Sequence, residues 1–272
     1  MKRRSVRHFK DTVIPEHLIN QLLDAANNAP SGGNIQPLSI ITIQDRERKS
    51  KLSQLLGGQL WVEHAPLTMI FCLDFFRLKK WASMSDTKFL GEKSLSHFLI
   101  AYADVICASQ NVVILAESLG LGSVYIGVVQ SVIDQVRSFL SIPELVLPLM
   151  VLCLGYPASI PKNIPKLKRN VIVHEETYNV MSDQEIIEAY NLKYGKFDED
   201  PEKYLEKAYK EVLEAGKYQN KTWLQLTKKR MIKFGIKNHA QFLFNLRYPS
   251  EAMVKNNVKQ KQSFKKAGFD LF

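Results

Sequence analysis

The segment that most narrows the choice of fold is Leu99–Leu119. It is apolar nearly all round, with Ile100, Val105, Ile106, Val112, Val113, Leu115 and Leu119, and Gly120 closes it. A helix without a polar face has to be covered on several sides. The rest of the chain must therefore supply layers that pack around it. Strands are expected over Leu38–Gln44, Leu67–Leu73, Val124–Gly127 and Leu147–Gly155, and helices over Pro15–Ala29, Arg46–Leu56 and Ile133–Leu140. Pro15 suits a first turn, and Leu18, Ile19, Leu22, Leu23 and Ala26 share one face. Strands alternate with helices over residues 1–180, which indicates an α/β arrangement of two or three layers.

Phe75–His97 interrupts this pattern. Phe75, Phe76, Trp81, Phe89 and Phe98 punctuate a charged stretch without clear periodicity, the composition of a lid, a substrate-facing segment or a helical subdomain. From Ser182 the character changes again. Ser182-Asp183-Gln184-Glu185 reads as a capping box, followed by helices expected over Glu202–Ala215 and Trp223–Phe234 and a basic tail over Glu251–Phe272. The chain thus divides into a core, 1–181, and a helical extension, 182–272, expected to pack on the core or on a partner subunit.

The net charge of +10 is uneven: Lys217–Phe272 holds 13 basic residues against Glu251 and Asp270, leaving the remainder close to neutral. The excess belongs to the tail, and a nucleic-acid partner is not expected. Leu145–Tyr156 is too short to cross a bilayer and contains Pro148. The basic start runs into Phe9-Lys10-Asp11 and not into an apolar leader, so a cytoplasmic location without membrane attachment is expected. Cys72, Cys107 and Cys153 lie apart in apolar stretches and read as buried small hydrophobes. No histidine pair has metal-ligand spacing, so no metal site is expected. Gly120-Leu121-Gly122-Ser123-Val124-Tyr125 fails as a dinucleotide fingerprint because Tyr125 stands at the third glycine position and a helix precedes it. Gly91-Glu92-Lys93-Ser94 is not a P-loop, and no GxSxG elbow occurs.

Two segments carry binding chemistry. In Ala29-Pro30-Ser31-Gly32-Gly33-Asn34-Ile35-Gln36-Pro37, two prolines and two adjacent glycines fix a loop whose backbone a ligand can approach closely. Asn34 and Gln36 add amides that both donate and accept, suited to a heterocycle edge. Upstream, Arg3-Arg4-Ser5-Val6-Arg7 offers three guanidiniums and a hydroxyl suited to phosphate. A phosphate handle with a heterocycle reader is what a bound nucleotide requires.

Four blocks in register resemble the FMN-dependent nitroreductase family: Arg3–Phe9, Ala29–Pro37, Ala116–Gly127 and Leu154-Gly155-Tyr156-Pro157. The resemblance implies an α+β sandwich, with a central, mostly antiparallel sheet flanked by helices, and here a helical C-terminal extension. It further implies a homodimer with FMN at the interface. Carried over by position, Arg3, Arg4 and Ser5 hold the phosphate and ribityl chain, and Arg7 lies near the flavin N1–C2 edge. Pro30, Ser31 and Asn34 contact the ring from the partner subunit, with Gln36 beside them. Tyr125, Ile126 and Gly127 line the ring near N5, and Lys168 or Arg169 returns to the phosphate. A guanidinium at N1 favours the negative charge gathered there on reduction, and no acid–base side chain is required. The implied activity passes hydride from NADH or NADPH to a nitroaromatic, quinone or similar flat acceptor by alternating half-reactions. Flavin reduction, reductive dehalogenation and a non-catalytic flavin carrier are the alternatives. The extension is expected to wrap the partner or cap the flavin pocket.

Overall fold

The computed structural model describes residues 3–197, 200, 203–206 and 221–271; apart from residues 203–206, the helix expected over Glu202–Ala215 lies outside them. Strands β1 (Leu38–Ile43), β2 (Leu67–Asp74), β3 (Gly122–Ile126) and β4 (Val146–Gly155) form one sheet in the order β1-β2-β4-β3, antiparallel throughout. The helices around it are α1 (Glu16–Asn27), α2 (Arg46–Leu55), α3 (Leu60–His64), α4 (Phe76–Met84), α5 (Leu95–Ser118) and α6 (Ile133–Phe139). The aromatic stretch after β2 thus opens as helix α4.

The central strand β2 is buried at every position, so its alternate residues serve two cores. Leu67, Met69, Phe71 and Leu73 cluster with Leu22 of α1 and with Val105 and Val112 of α5. Ile70 and Cys72 cluster with Leu52 of α2, Val62 of α3, Val136 of α6, and Val151 and Cys153 of β4. The result is three layers, helix–sheet–helix. Pro148, which lacks the N–H a central strand needs, is accommodated at a register shift: Phe71 pairs with Met150 but Cys72 with Pro148, leaving Leu149 as the extra residue.

By backbone contacts the described residues fall into two units, 3–161 with 255–271, and 162–197, 200, 203–206 with 221–254. The basic tail from Lys255 onward belongs to the first of them. Ala267 and Phe269 are buried in the α1/α5 core, where the Phe269 ring lies 5.7 Å from Phe75 and 6.0 Å from Phe98. Backbone bonds from Leu145 N to Ala267 O and from Asp270 N to Glu92 O, each 2.8–2.9 Å, complete the attachment. The second unit has a small cluster of its own, Leu205, Met231, Ile236 and Phe242. Its capping box forms as expected: Glu185 Oε2 accepts from the Ser182 N–H at 2.8 Å ahead of helix Asp183–Tyr194.

Within one chain, helix α5 is covered on fewer sides than expected. Leu99 is 56% exposed, Ile100 52% and Ile114 44%, and Ala103 and Cys107 on the same face are also open. Cys107 is therefore not a buried hydrophobe, whereas Cys72 and Cys153 are. α5 is also long and apolar enough to cross a bilayer by length and composition, a property the sequence reading missed in favour of Leu145–Tyr156. Its other face is packed into the core beside α1 and β2.

Candidate functional site

The N-terminal arm is laid along the free edge of β3. Ser5 bridges Ser123 in parallel, Val6 N donates to Ser123 O at 2.9 Å, and Lys10 N to Tyr156 O at 2.8 Å. Two glycines make room for the crossing. Gly122 and Gly155 pair in register on β3 and β4; a Cβ on Gly122 would stand 2.6 Å from Val6 Cγ2, and one on Gly155 2.9 Å from Phe9 Cδ1. The sheet thereby fixes where the arginines sit. Arg3 is exposed, while Arg4, Ser5 and Arg7 are half-buried. Arg7 holds its guanidinium carbon 5.6 Å from the centroid of the Trp61 ring, a cation–π distance.

Two donors at this site are buried without a hydrogen-bond partner among the described residues: Arg4 Nε and Trp61 Nε1. A buried donor without an acceptor costs about 1–3 kcal/mol, so this pair is a reason to look for an acceptor-rich ligand. Phosphate and flavin carbonyl oxygens are such acceptors, and the residues fit FMN in that respect.

At the end of β3 the three expected residues divide. The Tyr125 hydroxyl donates to Ser109 Oγ at 3.1 Å on α5, and burial pushes its pKa up, so it stays a donor. Ile126 is buried in the α2/α6 core. Gly127 is exposed with open space where a Cβ would be. What this stretch can offer a ligand is its backbone and Gly127.

The Pro30–Pro37 loop sits against α5. Gly32, Gly33 and Asn34 form a tight turn, with Asn34 N bonded to Ser31 O at 3.0 Å. Left-handed backbone recurs within it: φ is 59° at Gly33, 55° at Asn34 and 52° at Gln36. For a non-glycine residue each such position costs on the order of 1–3 kcal/mol, and it persists only where the surroundings hold it. Pro30 and Asn34 are exposed, and Ser31 is half-buried with its Oγ accepting from Gln36 N. Gln36 turns its side-chain Nε2 to Asn27 O at 3.1 Å, locking the loop to the end of α1.

Sequence reading missed two charged residues here. Asp104 of α5 accepts the Gly32 N–H, at 3.0 Å to Oδ1 and 3.2 Å to Oδ2. Arg77 of α4 donates to Gln36 O at 3.2 Å and to Leu38 O, while its Nε pairs with Asp74 at 3.0 Å. The available signal was Asp104 itself, the one acid between Leu95 and Ala116 in an apolar helix. A cavity of about 70 Å³ lined by Pro30, Ser31, Gln36, Arg77 and Asp104 adjoins the loop, and none of the arm's residues lines it. Within one chain, arm and loop thus meet different elements, β3 and α5. Lys168 and Arg169 belong to the second unit, where both are exposed at the start of the short helix Arg169–Ile172.

The family model described as the nitroreductase family matches residues 1–156. The chain is 35% identical over 198 residues to an FMN reductase (NAD(P)H) of Bacillus subtilis, covering 71% of this chain and 79% of that protein. It is also 35% identical to an oxygen-insensitive NADPH nitroreductase of Salmonella typhimurium, covering 71% and 78%. Among solved structures, NfrA2 of B. megaterium superposes with a TM-score of 0.72 at 27% identity, over 100% of this chain and 96% of that one.

Proposed function

The chain belongs to the nitroreductase family, and from that premise we propose the assignment of its site. It is an NAD(P)H-dependent flavin oxidoreductase that works with FMN. Bound at the site, FMN supplies two-electron chemistry, taking hydride from the nicotinamide and delivering it to an acceptor. The chain's own residues bind, orient and tune. Arg3, Arg4 and Ser5 hold the phosphate and ribityl chain. Arg7, steadied against Trp61, gives a fixed positive charge to the N1–C2 edge. The exposed backbone at Gly127 would bind the ring near N5. Pro30, Ser31 and Asn34 reach the ring of the partner's cofactor.

The observation that carries the reading is the buried Arg4 Nε, without a hydrogen-bond partner among the described residues, on an arm pinned to β3. A second copy is part of the proposal because α5 presents Leu99, Ile100 and Ile114 to solvent, and Ile35 of the loop is exposed as well. Such a face, once covered by its equivalent in a twofold dimer, would explain a helix apolar on every side. The acceptor is a flat, electron-poor molecule of the nitroaromatic or quinone kind, and the protein works in the cytoplasm. The test is direct. Purified protein is expected to carry flavin absorption that NADH or NADPH bleaches without oxygen and that a nitroaromatic or quinone restores. A colourless protein that takes up no added FMN would overturn the assignment.

A further inference from the structure

We propose that Asp104 and Arg77 are positioning residues for FMN: two charged clamps, from helices outside the loop, that hold Ser31–Gln36 in the shape that reads the flavin. The inference rests on the assignment of this loop to the cofactor. Three of the four residues from Gly33 to Gln36 lie at positive φ; glycine and asparagine accept it readily, whereas the Gln36 side chain disfavours it. The loop's internal backbone bonds, Asn34 N to Ser31 O and Ile35 N to Gly32 O, are those of a single turn, to which the Gln36 side chain adds its bond to Asn27 O and Ser31 Oγ accepts from Gln36 N. Hydrogen bonds from outside set its place. At the leading end the Asp104 carboxylate takes the Gly32 N–H with both oxygens in range, a charge-assisted bond across 72 residues of sequence. At the trailing end the Arg77 guanidinium binds the carbonyls of Gln36 and Leu38.

Arg77 is itself aimed. Asp74, 4% exposed at the end of β2, takes the Arg77 Nε–H and also the Ser39 hydroxyl. The clamp is therefore anchored in the sheet, and Asn34, the exposed amide between the two clamps, inherits its position from both. Neither residue is assigned contact with the flavin. Each acts through the backbone of the loop.

The experiment dilutes the FMN-loaded protein and follows flavin fluorescence to obtain the FMN dissociation constant, with the visible circular dichroism of bound flavin recorded at saturating FMN. Asp104→Ala and Arg77→Ala are each expected to weaken FMN binding about tenfold and to alter the dichroic band. Asp104→Asn keeps an acceptor oxygen for the Gly32 N–H and is expected to bind FMN within about threefold of the parent. Asp104 is half-exposed and alanine is the best helix former, so Asp104→Ala is expected to fold, and an unchanged far-ultraviolet spectrum checks it. Parent-like affinity and dichroism in both alanine variants would overturn the clamps while leaving the cofactor assignment intact. Failure of Asp104→Asn to restore binding would overturn the hydrogen bond as the cause. A parent protein that binds no FMN would overturn the assignment and the clamps together.

Discussion

Gly122 lies directly under Val6, and any side chain at Gly122 would meet three Val6 carbons at 2.6–2.9 Å. The contact ties the arm proposed to bind phosphate to the sheet, because the arm is otherwise held there by a few backbone bonds such as Val6 N to Ser123 O. One absent methyl on β3 thereby decides where three arginines stand.

Gly122→Ala is accordingly expected to displace the arm and leave the sheet in place. β3 is bound along its length to β4, and the arm is the weaker party. The overpacking should cost about 1–3 kcal/mol of stability, whereas the flavin content of the purified protein should fall severely. Val6→Gly added to Gly122→Ala removes the clash and is expected to restore part of the flavin. Absorbance ratios of flavin to protein, with denaturant melts of the same samples, separate the two effects. Full flavin content in Gly122→Ala would show that the arm's seat is not set by this contact.

Arg4 offers the converse case, a residue whose loss should touch ligand more than fold. Its Nε is buried and has no partner among the described residues. Arg4→Ala is expected to raise the FMN dissociation constant about 10- to 100-fold, the range for a charge-assisted hydrogen bond. The flavin-free protein should lose little stability, since no internal bond is broken. Added salt should weaken FMN binding more in the parent than in the variant. An unchanged dissociation constant would remove Arg4 from the phosphate site.

The local signals in the sequence were readable because they need only neighbours. Leu67–Leu73 and Leu147–Gly155 announce strands by apolar runs, and the strands form at Leu67–Asp74 and Val146–Gly155. What failed depended on partners far along the chain. Phe264, Ala267 and Phe269 sit among Lys265, Lys266 and Asp270, so the sequence leaves open whether the extension packs on the core or on a partner; they complete a core begun at Ile14. Periodicity told that α5 must be covered and could not tell by what; one chain covers Val105 and Val112 and leaves Leu99 and Ile114 open. Asp104 stands out as the one acid between Leu95 and Ala116, but what it binds was unreadable for a related reason. Its partner is a backbone N–H, and a backbone N–H has no sequence signature.

Lys49 gives the fold a testable pH dependence. The residue is buried on α2, its ammonium donating to Ala65 O, and burial lowers its pKa from 10.5. Between the lowered folded value and 10.5, the unfolded chain binds more proton than the folded one. Stability from this group therefore rises with pH through that window, and the cost of the buried charge is fully present below it. Denaturant unfolding at a series of alkaline pH values is expected to show this rise in the parent relative to Lys49→Met. Parallel pH curves for the two proteins would contradict it.

The uncovered face of α5 makes the last prediction, because it joins association, cofactor and thiol chemistry. Ile114→Arg places a charge in the middle of the proposed subunit contact, where desolvating it without a partner is prohibitive. The parent is expected to run as a dimer in sedimentation and the variant as a monomer with little flavin, since the loop of each subunit would no longer reach its partner's ring. Cys107 shares that face and reports on it. In the dimer it should be shielded from a thiol reagent at pH 8, and in the Ile114→Arg monomer it should react. Cys72 and Cys153 will stay silent in both, as burial pushes each thiol up to about 12 and leaves no thiolate to attack. One reactive thiol per chain in the monomer against none in the dimer is the expected count. A parent that is dimeric yet labels rapidly at Cys107 would place the subunit contact on some other surface.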